Sequence, residues 1–281
     1  MSNKVALIGV GALGKALLKR LQSAGKFVQA FDVEPRAIQA AKIEGAEVMG
    51  SAAAAARGAS HIHVIVATDE QMLEATTGRS GVLAGASPGS VLLLHSTTLP
   101  MTTIKVAEAA KLQRVSVLDA PITGIPTRFE AGDGTFLVGG SREDVDAVRP
   151  YLLELGREVR HFGPLGAGNV TKLVKALYNA SERVLLSEML NLAEAGGLDL
   201  RQFMEMQIAT HKEPAVAEWE NNFTLEGNHA VHRPTTNLFR KDVALAVKLS
   251  ELHDLDVPVT DAVALTARRW LKSWGQEPDV A

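Results

Sequence analysis

With 281 residues, 22% of them charged and 46% hydrophobic, and a formal charge of −3, the chain has material for two domains and a substantial core. Its charge balance offers no polybasic field for nucleic acid or an anionic membrane surface. Cysteine is absent, which excludes disulfides, thiolate nucleophiles and cysteine-bound zinc and fits a reducing compartment. Met-Ser-Asn-Lys leads directly into an apolar strand, without the pattern of a signal peptide, and no segment approaches the roughly 18 apolar residues of a membrane span. A cytoplasmic location is the expectation.

The first half alternates short apolar runs with helical stretches. Val5-Ala6-Leu7-Ile8 reads as a strand, and Gly9-Val10-Gly11-Ala12-Leu13-Gly14 follows it as a Gly-rich turn into a helical run from Lys15 to Leu21. Phe27 to Phe31 is the next strand and ends at Asp32, 18 residues after Gly14. In a dinucleotide-binding turn, Gly9 permits the tight bend, Gly11 lets backbone approach the pyrophosphate, and Gly14 allows helix to pack on strand. Asp32 at the strand end can accept bonds from ribose hydroxyls and repels a 2′-phosphate. That favours NAD over NADP, with Arg36 one turn later as a softening influence. The alternative for the same glycines is a ligand-free turn of an α/β fold, against which the flanking strand, helix and Asp32 weigh together.

Ser51 precedes the run Ala52 to Ala56 as a helix N-cap. Further strands are expected at His63 to Val66, Val91 to Leu94 and Val115 to Leu118, with Phe136 to Val138 and Val159 to Phe162 extending the pattern to about residue 162. Continuously apolar strands separated by helices imply a mostly parallel sheet covered on both faces. From Asn169 to about Ala195, apolar residues recur at helical spacing without an internal Gly or Pro, and Gly196-Gly197 closes the helix. Helical patterns near 200–208, 214–222, 236–253 and 259–273 complete the chain. The reading is an α/β Rossmann-type dinucleotide-binding domain over 1–163, then a long connecting helix opening an all-helical domain over 164–281.

Lys172 stands out within Gly166-Ala167-Gly168-Asn169-Val170-Thr171-Lys172 at the start of the long helix. An ammonium on a long stem can give a proton to a substrate oxygen, and its amine form can take one, while a neighbouring nicotinamide exchanges hydride. Away from such a motif, a lysine is ordinarily a solvated surface residue.

Read together, these blocks resemble the β-hydroxyacid dehydrogenase family, which includes 3-hydroxyisobutyrate dehydrogenases and tartronate semialdehyde reductases. The resemblance runs over nearly the whole chain. It rests on Gly9 to Gly14; on Asp119-Ala120-Pro121-Ile122-Thr123-Gly124 with Ala131-Gly132-Asp133-Gly134-Thr135-Phe136-Leu137; on Lys172; and on Lys241-Asp242 followed by Ala244-Leu245-Ala246. Ser96-Thr97 with Pro100 is a less specific fifth match. The resemblance implies Lys172 as the catalytic lysine, Thr123 and Gly124 in a loop that presents amides and a hydroxyl to a substrate carboxylate, and Lys241 beside the cofactor. It further implies Thr97 near the nicotinamide ribose, Ser96 on the substrate side, and a helical domain that builds homodimers or homotetramers.

Two departures bear on specificity. Where the family commonly carries Asn three and four residues after the lysine, this chain has Lys175 and Ala176, and Asn179, seven residues after Lys172 on nearly the same helical face, is the amide that could substitute. The second glycine of the substrate turn is Ile125, which adds apolar bulk. A larger or less polar substrate than a simple 3-hydroxy acid is one consequence.

His211, His229 and His232 show no acidic third ligand nearby in sequence, and a polar loop is expected there rather than a metal site, with His232 or Arg233 as candidates to reach the substrate. Trp219, Trp270 and Trp274 read as core or subunit-contact residues. The expected activity is an NAD-preferring dehydrogenase, with NADP possible, acting on a small 3-hydroxy acid or its semialdehyde. Two alternatives stand beside it: an imine reductase, against which Lys172 and Asp32 both count, and a catalytically inactive nucleotide-binding protein of the same fold.

Overall fold

The computed structural model describes residues 3–210, 219–227, 229–233 and 237–273. By packing, the chain divides into two compact units, Met1–Lys172 and Leu173–Ala281.

The first unit alternates strands and helices: β1 (Lys4–Ile8), α1 (Ala12–Ser23), β2 (Phe27–Phe31), α2 (Pro35–Ile43), β3 (Glu47–Val48), α3 (Ala52–Ala56), β4 (His61–Val64), α4 (Asp69–Thr77), β5 (Val91–Leu94), α5 (Pro100–Lys111) and β6 (Ser116–Asp119). There follow β7 (Ile122–Thr123), α6 (Pro126–Glu130), β8 (Thr135–Gly139), α7 (Arg142–Leu155) and β9 (Glu158–Gly163). Strand order across the sheet is β3-β2-β1-β4-β5-β6-β8-β7, with β9 paired to β8.

The first six strands are parallel. The chain then reverses, and β8 runs antiparallel to both β6 and β7. Alternate residues of the parallel strands feed two cores. Leu7, Leu93 and Leu118 pack with α1 and α7, while Ile62, Leu92 and Leu94 pack with α3, α4 and α5. Period-two placement of large aliphatic side chains on both faces explains why these strands carry almost no surface residues. The expected cap is present, with the Ser51 hydroxyl accepting from the Ala54 amide at 3.1 Å.

Helix α8 (Ala167–Ala195) begins in the first unit and continues into the second. The second unit also holds α9 (Leu200–Thr210), α10 (Asn237–Leu252) and α11 (Pro258–Ser273). Strands do not end at residue 162, however. Phe223–Glu226 (β10) and His229–His232 (β11) form an antiparallel hairpin turning at Gly227, whose φ is +65°. The part of the expected 214–222 helix that is described is a single 3-10 turn at Trp219–Asn221. Phe223 is buried with Trp219, Leu186 and Leu190, so this face of the hairpin is core. Buried Arg183 donates to the carbonyls of Asn222 and Arg233 and sits 6.0 Å from the Trp270 ring. Burial holds its guanidinium down to about 10. No described helix is long and apolar enough to cross a membrane.

Candidate active site

Because β1, β2, β4, β5 and β6 run in the same direction, the loops leaving their carboxyl ends open on one edge of the sheet. The order reverses between β1 and β4, and that is where open α/β sheets take their ligands.

Gly9 has a φ of +91°, and a side-chain carbon there would stand 1.7 Å from the Ile65 carbonyl oxygen. The turn therefore presses against the chain leaving β4. At Gly14 the added carbon would lie 2.2 Å from the Gly9 carbonyl oxygen, so α1 is drawn back onto its own turn. Gly11 is different: its surroundings are open. It is the N-cap of α1, no side chain bonds there, and the first turn contains no acidic residue. The amides that begin α1, including those of Ala12 and Leu13, thus meet the steric and electrostatic needs of a pyrophosphate.

Asp32 fastens this turn from β2. Its Oδ2 accepts the Val10 amide at 2.6 Å, and its Oδ1 accepts the Glu34 amide at 2.9 Å. Each carboxylate oxygen retains a second lone pair with which a ribose hydroxyl can bond.

The loop after β5 is held from three sides. Ser96 Oγ accepts the Val66 amide and donates to the Val66 carbonyl, both at 2.8 Å, so its proton is engaged with the neighbouring loop. The Thr98 amide donates to Asn169 Oδ1 at 3.0 Å. Leu99 donates its amide to Asp69 Oδ1 at 2.9 Å, and the Thr102 hydroxyl bonds the same oxygen. Thr97, between these anchors, is buried.

Asp119 ends β6 fully buried. Its Oδ1 accepts the Gly166 amide and its Oδ2 the Asn169 amide, each at 2.7 Å. Burial pushes the carboxyl up from the ordinary aspartate range, while these amide bonds pull against that rise. The pair satisfies donors that the start of α8 would otherwise leave orphaned. Close approach requires glycine on both sides. A side-chain carbon at Gly168 would stand 2.2 Å from the Leu137 carbonyl oxygen, and one at Gly139 would stand 2.3 Å from Asp119 Oδ1.

Lys172 follows three residues after Asn169, half-buried. Its Nζ donates to the Ile122 carbonyl at 2.7 Å, inside the loop that leaves β6. Beyond Ile122, Thr123 is half-buried, Gly124 turns the chain with a φ of +123°, and Ile125 holds its side chain 61% exposed. The first unit therefore brings Gly9 to Gly14, Asp32, Ser96, Thr97, Thr123, Gly124, Ile125 and Lys172 to the carboxyl edge of its sheet.

Asn179 and Lys241 belong to the second unit. Asn179 is exposed on α8, as is Lys175 one turn earlier on the same helix. Lys241, on α10, pairs with Asp242 at 3.4 Å. His229 Nδ1 lies 3.0 Å from Glu194, in a surface pair. His211 and Trp274 lie outside the described residues.

Sequence reasoning assigned no role to Asp119, Asn169, Gly139 or Gly168. Asp119 and Asn169 lay inside the quoted blocks, and a buried acid opening one block beside a helix start in another was the available signal.

Comparison with known proteins identifies the family of both units. Residues 4–163 match the family described as the NAD binding domain of 6-phosphogluconate dehydrogenase, and residues 166–281 match the NAD-binding domain of NADP-dependent 3-hydroxyisobutyrate dehydrogenase. The chain is similar to the NAD-dependent L-serine dehydrogenase of Pseudomonas aeruginosa, at 30% identity over 203 residues that span 72% of this chain and 68% of that one. A 3-hydroxyisobutyrate dehydrogenase of the same organism is 32% identical over 195 residues, covering 69% of this chain and 65% of the relative. Among solved structures, the 3-hydroxyisobutyrate dehydrogenase of Mycobacterium tuberculosis with L-serine superimposes with a TM-score of 0.85 at 24% identity, over 97% of this chain and 94% of the other.

Proposed function

The chain belongs to the β-hydroxyacid dehydrogenase family of NAD(P)-dependent enzymes acting on CH-OH groups, and from that premise we propose that it interconverts a small 3-hydroxy acid and its semialdehyde or keto form, with NAD preferred and Lys172 as acid and base. One observation carries the reading. The Lys172 amine is held 2.7 Å from the Ile122 carbonyl, in the loop whose next two residues are Thr123 and Gly124. This contact supports placing a proton carrier beside the residues proposed to bind the substrate carboxylate.

The coenzyme, when bound, supplies the hydride acceptor or donor. Gly9, Gly11, Ala12, Leu13 and Gly14 would hold its pyrophosphate, Asp32 its adenosine ribose, and Thr97 and Lys241 its nicotinamide half. Oxidation requires the substrate hydroxyl to lose a proton as hydride leaves carbon; Lys172 in its amine form takes that proton, and its ammonium returns one in reduction. The Thr123 hydroxyl and the Gly124 amide bond the substrate carboxylate, with Ser96 and Asn179 as further polar contacts. Ile125 replaces an expected amide-only turn with an apolar side chain, which supports a substrate with a hydrocarbon branch over a fully polar one. Homodimers or homotetramers are the proposed assembly.

The test is a screen of purified protein with NAD and NADP against 3-hydroxy acids, aldehydes and cyclic imines, repeated with Lys172→Ala. The expected result is turnover of a 3-hydroxy acid or semialdehyde, reduced on the order of a hundredfold to ten-thousandfold in the variant at nearly unchanged coenzyme affinity. Wild-type turnover in Lys172→Ala, or activity confined to imines, overturns the proposal.

A further inference from the structure

Inside the core between the sheet and α7 runs a chain of polar groups that the proposed chemistry does not use. His63 Nδ1 lies 2.8 Å from His95 Nε2, and His63 Nε2 lies 2.6 Å from the Tyr151 hydroxyl. His95 Nδ1 lies 2.7 Å from the Ala120 carbonyl oxygen. His63 and His95 are buried on β4 and just past β5, and Tyr151 is buried on α7. His61 stacks on the Tyr151 ring at 3.8 Å and closes the outer end.

The direction of every bond follows from the one group whose role is fixed. A carbonyl can only accept, so His95 must carry its proton on Nδ1. Burial holds the His95 ring neutral, with its pKa lowered to about 4, so its Nε2 is an acceptor and takes the proton of His63 Nδ1. Burial also holds His63 well below the ordinary histidine range, with the neighbouring imidazoles acting in the same sense. Its Nε2 is then the acceptor of the Tyr151 hydroxyl. The sequence Tyr151 to His63 to His95 to Ala120 is fully satisfied with every member neutral.

Ala120 lies between Asp119, whose carboxylate caps the start of α8, and the loop that receives Lys172. His95 touches that loop a second way. Its ring packs 5.6 Å from Phe136, whose backbone is the β8 partner of Ile122, and Phe136 packs in turn on Phe129 of α6. One imidazole thus fixes the carbonyl before the loop and braces the strand against which Ile122 lies.

We propose that His95 is a positioning residue for the dehydrogenase reaction, the last link of a neutral Tyr151–His63–His95 chain that fixes the Ala120 carbonyl and thereby the Ile122–Gly124 segment that meets Lys172. The proposal rests on the reading of Lys172 as acid and base, and one of its tests is independent of activity.

His95→Leu removes the donor to Ala120, and His95→Gln carries its amide out toward the Nε2 position, away from Ala120. His95→Asn keeps an N–H near the place of Nδ1. Amide hydrogen exchange over residues 120–124 is expected to accelerate at least tenfold in the Leu and Gln variants and to stay within threefold of wild type in the Asn variant. With a substrate in hand, the Leu and Gln variants should lose at least tenfold in kcat at a coenzyme KM within twofold of wild type, with His95→Asn recovering most of the loss. Nitrogen-15 spectra of the wild-type histidines should show His63 and His95 as neutral Nδ1–H tautomers. Should His95→Leu fail to fold, the Gln and Asn pair decides. Unchanged exchange in His95→Gln, an Asn variant as impaired as the Gln variant, or an Nε2–H tautomer at His95 overturns the proposal. A wild-type protein inactive on every compound of the screen ends the reading of Lys172, while the exchange comparison still decides whether His95 holds the loop.

Discussion

The buried carboxylate of Asp119 and the backbone amide of Asn169 stand 2.7 Å apart, so the end of β6 and the first turn of α8 are a single unit. The Asn169 side chain continues the tie by accepting the Thr98 amide and donating to the Thr103 hydroxyl. Lys172 sits one helical turn beyond this knot, and its position against Ile122 is inherited from it.

Asp119→Asn measures that inheritance. The amide side chain keeps one acceptor oxygen and turns an NH2 toward the other backbone N–H, so one buried donor is stranded. The expected loss is about 1–3 kcal/mol of stability by denaturant unfolding. Turnover should fall on the order of tenfold with coenzyme affinity nearly unchanged, because α8 shifts and carries Lys172 with it. A stability loss accompanied by wild-type turnover would show that the knot holds the fold without setting the lysine.

Gly168→Ala tests the same contact sterically. The new methyl group would start 2.2 Å from the Leu137 carbonyl oxygen, a backbone atom that cannot swing aside. Overpacking of this kind costs about 1–3 kcal/mol, and a clash with fixed backbone lies at the upper end, against the roughly 0.5–1 kcal/mol that Ala otherwise gains over Gly within a helix. Net destabilisation in urea unfolding is expected; a stabilised variant would mean that α8 can lift off β8 freely.

The neutral imidazoles give stability a defined pH dependence. His95 is lowered by burial to about 4 in the folded chain and returns to the ordinary histidine range on unfolding. A base whose folded pKa is depressed stabilises above its unfolded pKa, and that contribution drains away as pH falls from about 6.5 toward 4. The slope is about 1.4 kcal/mol per pH unit for each imidazole that stays neutral, and His63 adds to it in the same direction. Unfolding free energies measured from pH 7.5 to 5 should therefore decline, and His95→Asn should decline by about one proton's slope less. Identical slopes in the two proteins would mean that His95 protonates while still folded.

The parts of this fold that repeat locally were legible in the sequence. Gly9, Gly11 and Gly14 lie within six residues, and Gly9 and Gly14 are required by contacts between neighbouring elements, so strand, turn and helix could be read together. The long helix was equally plain, because Leu173, Leu177 and Val184 recur at helical spacing. What sequence reasoning missed is carried by contacts between distant segments. Asp119 meets Gly166 and Asn169 across about 50 residues, and His63 meets Tyr151 across 88. No local periodicity records such pairings. The hairpin at Phe223–His232 was missed for another reason: its strands are four residues each, and their alternation is too short to outweigh the helical composition around them.

Asp32 carries two loads, and a well-chosen substitution separates them. Its Oδ2 accepts the Val10 amide, which braces the Gly-rich turn, and its negative charge would repel the 2′-phosphate of NADP. Asp32→Ala removes both, strands the Val10 donor and would confound coenzyme preference with a loosened turn. Asp32→Asn keeps an acceptor oxygen for Val10 and removes the charge; the Oδ1 bond it gives up is to the exposed Glu34 amide, which water can satisfy instead. The expected outcome is a shift of at least tenfold in the ratio of kcat/KM for NADP over NAD, with unfolding free energy within about 1 kcal/mol of wild type, because the turn keeps its neutral bond. Measured coenzyme preference that stays flat in this variant would remove Asp32 as the source of discrimination and leave Arg36, exposed at the start of α2, as the residue to change next.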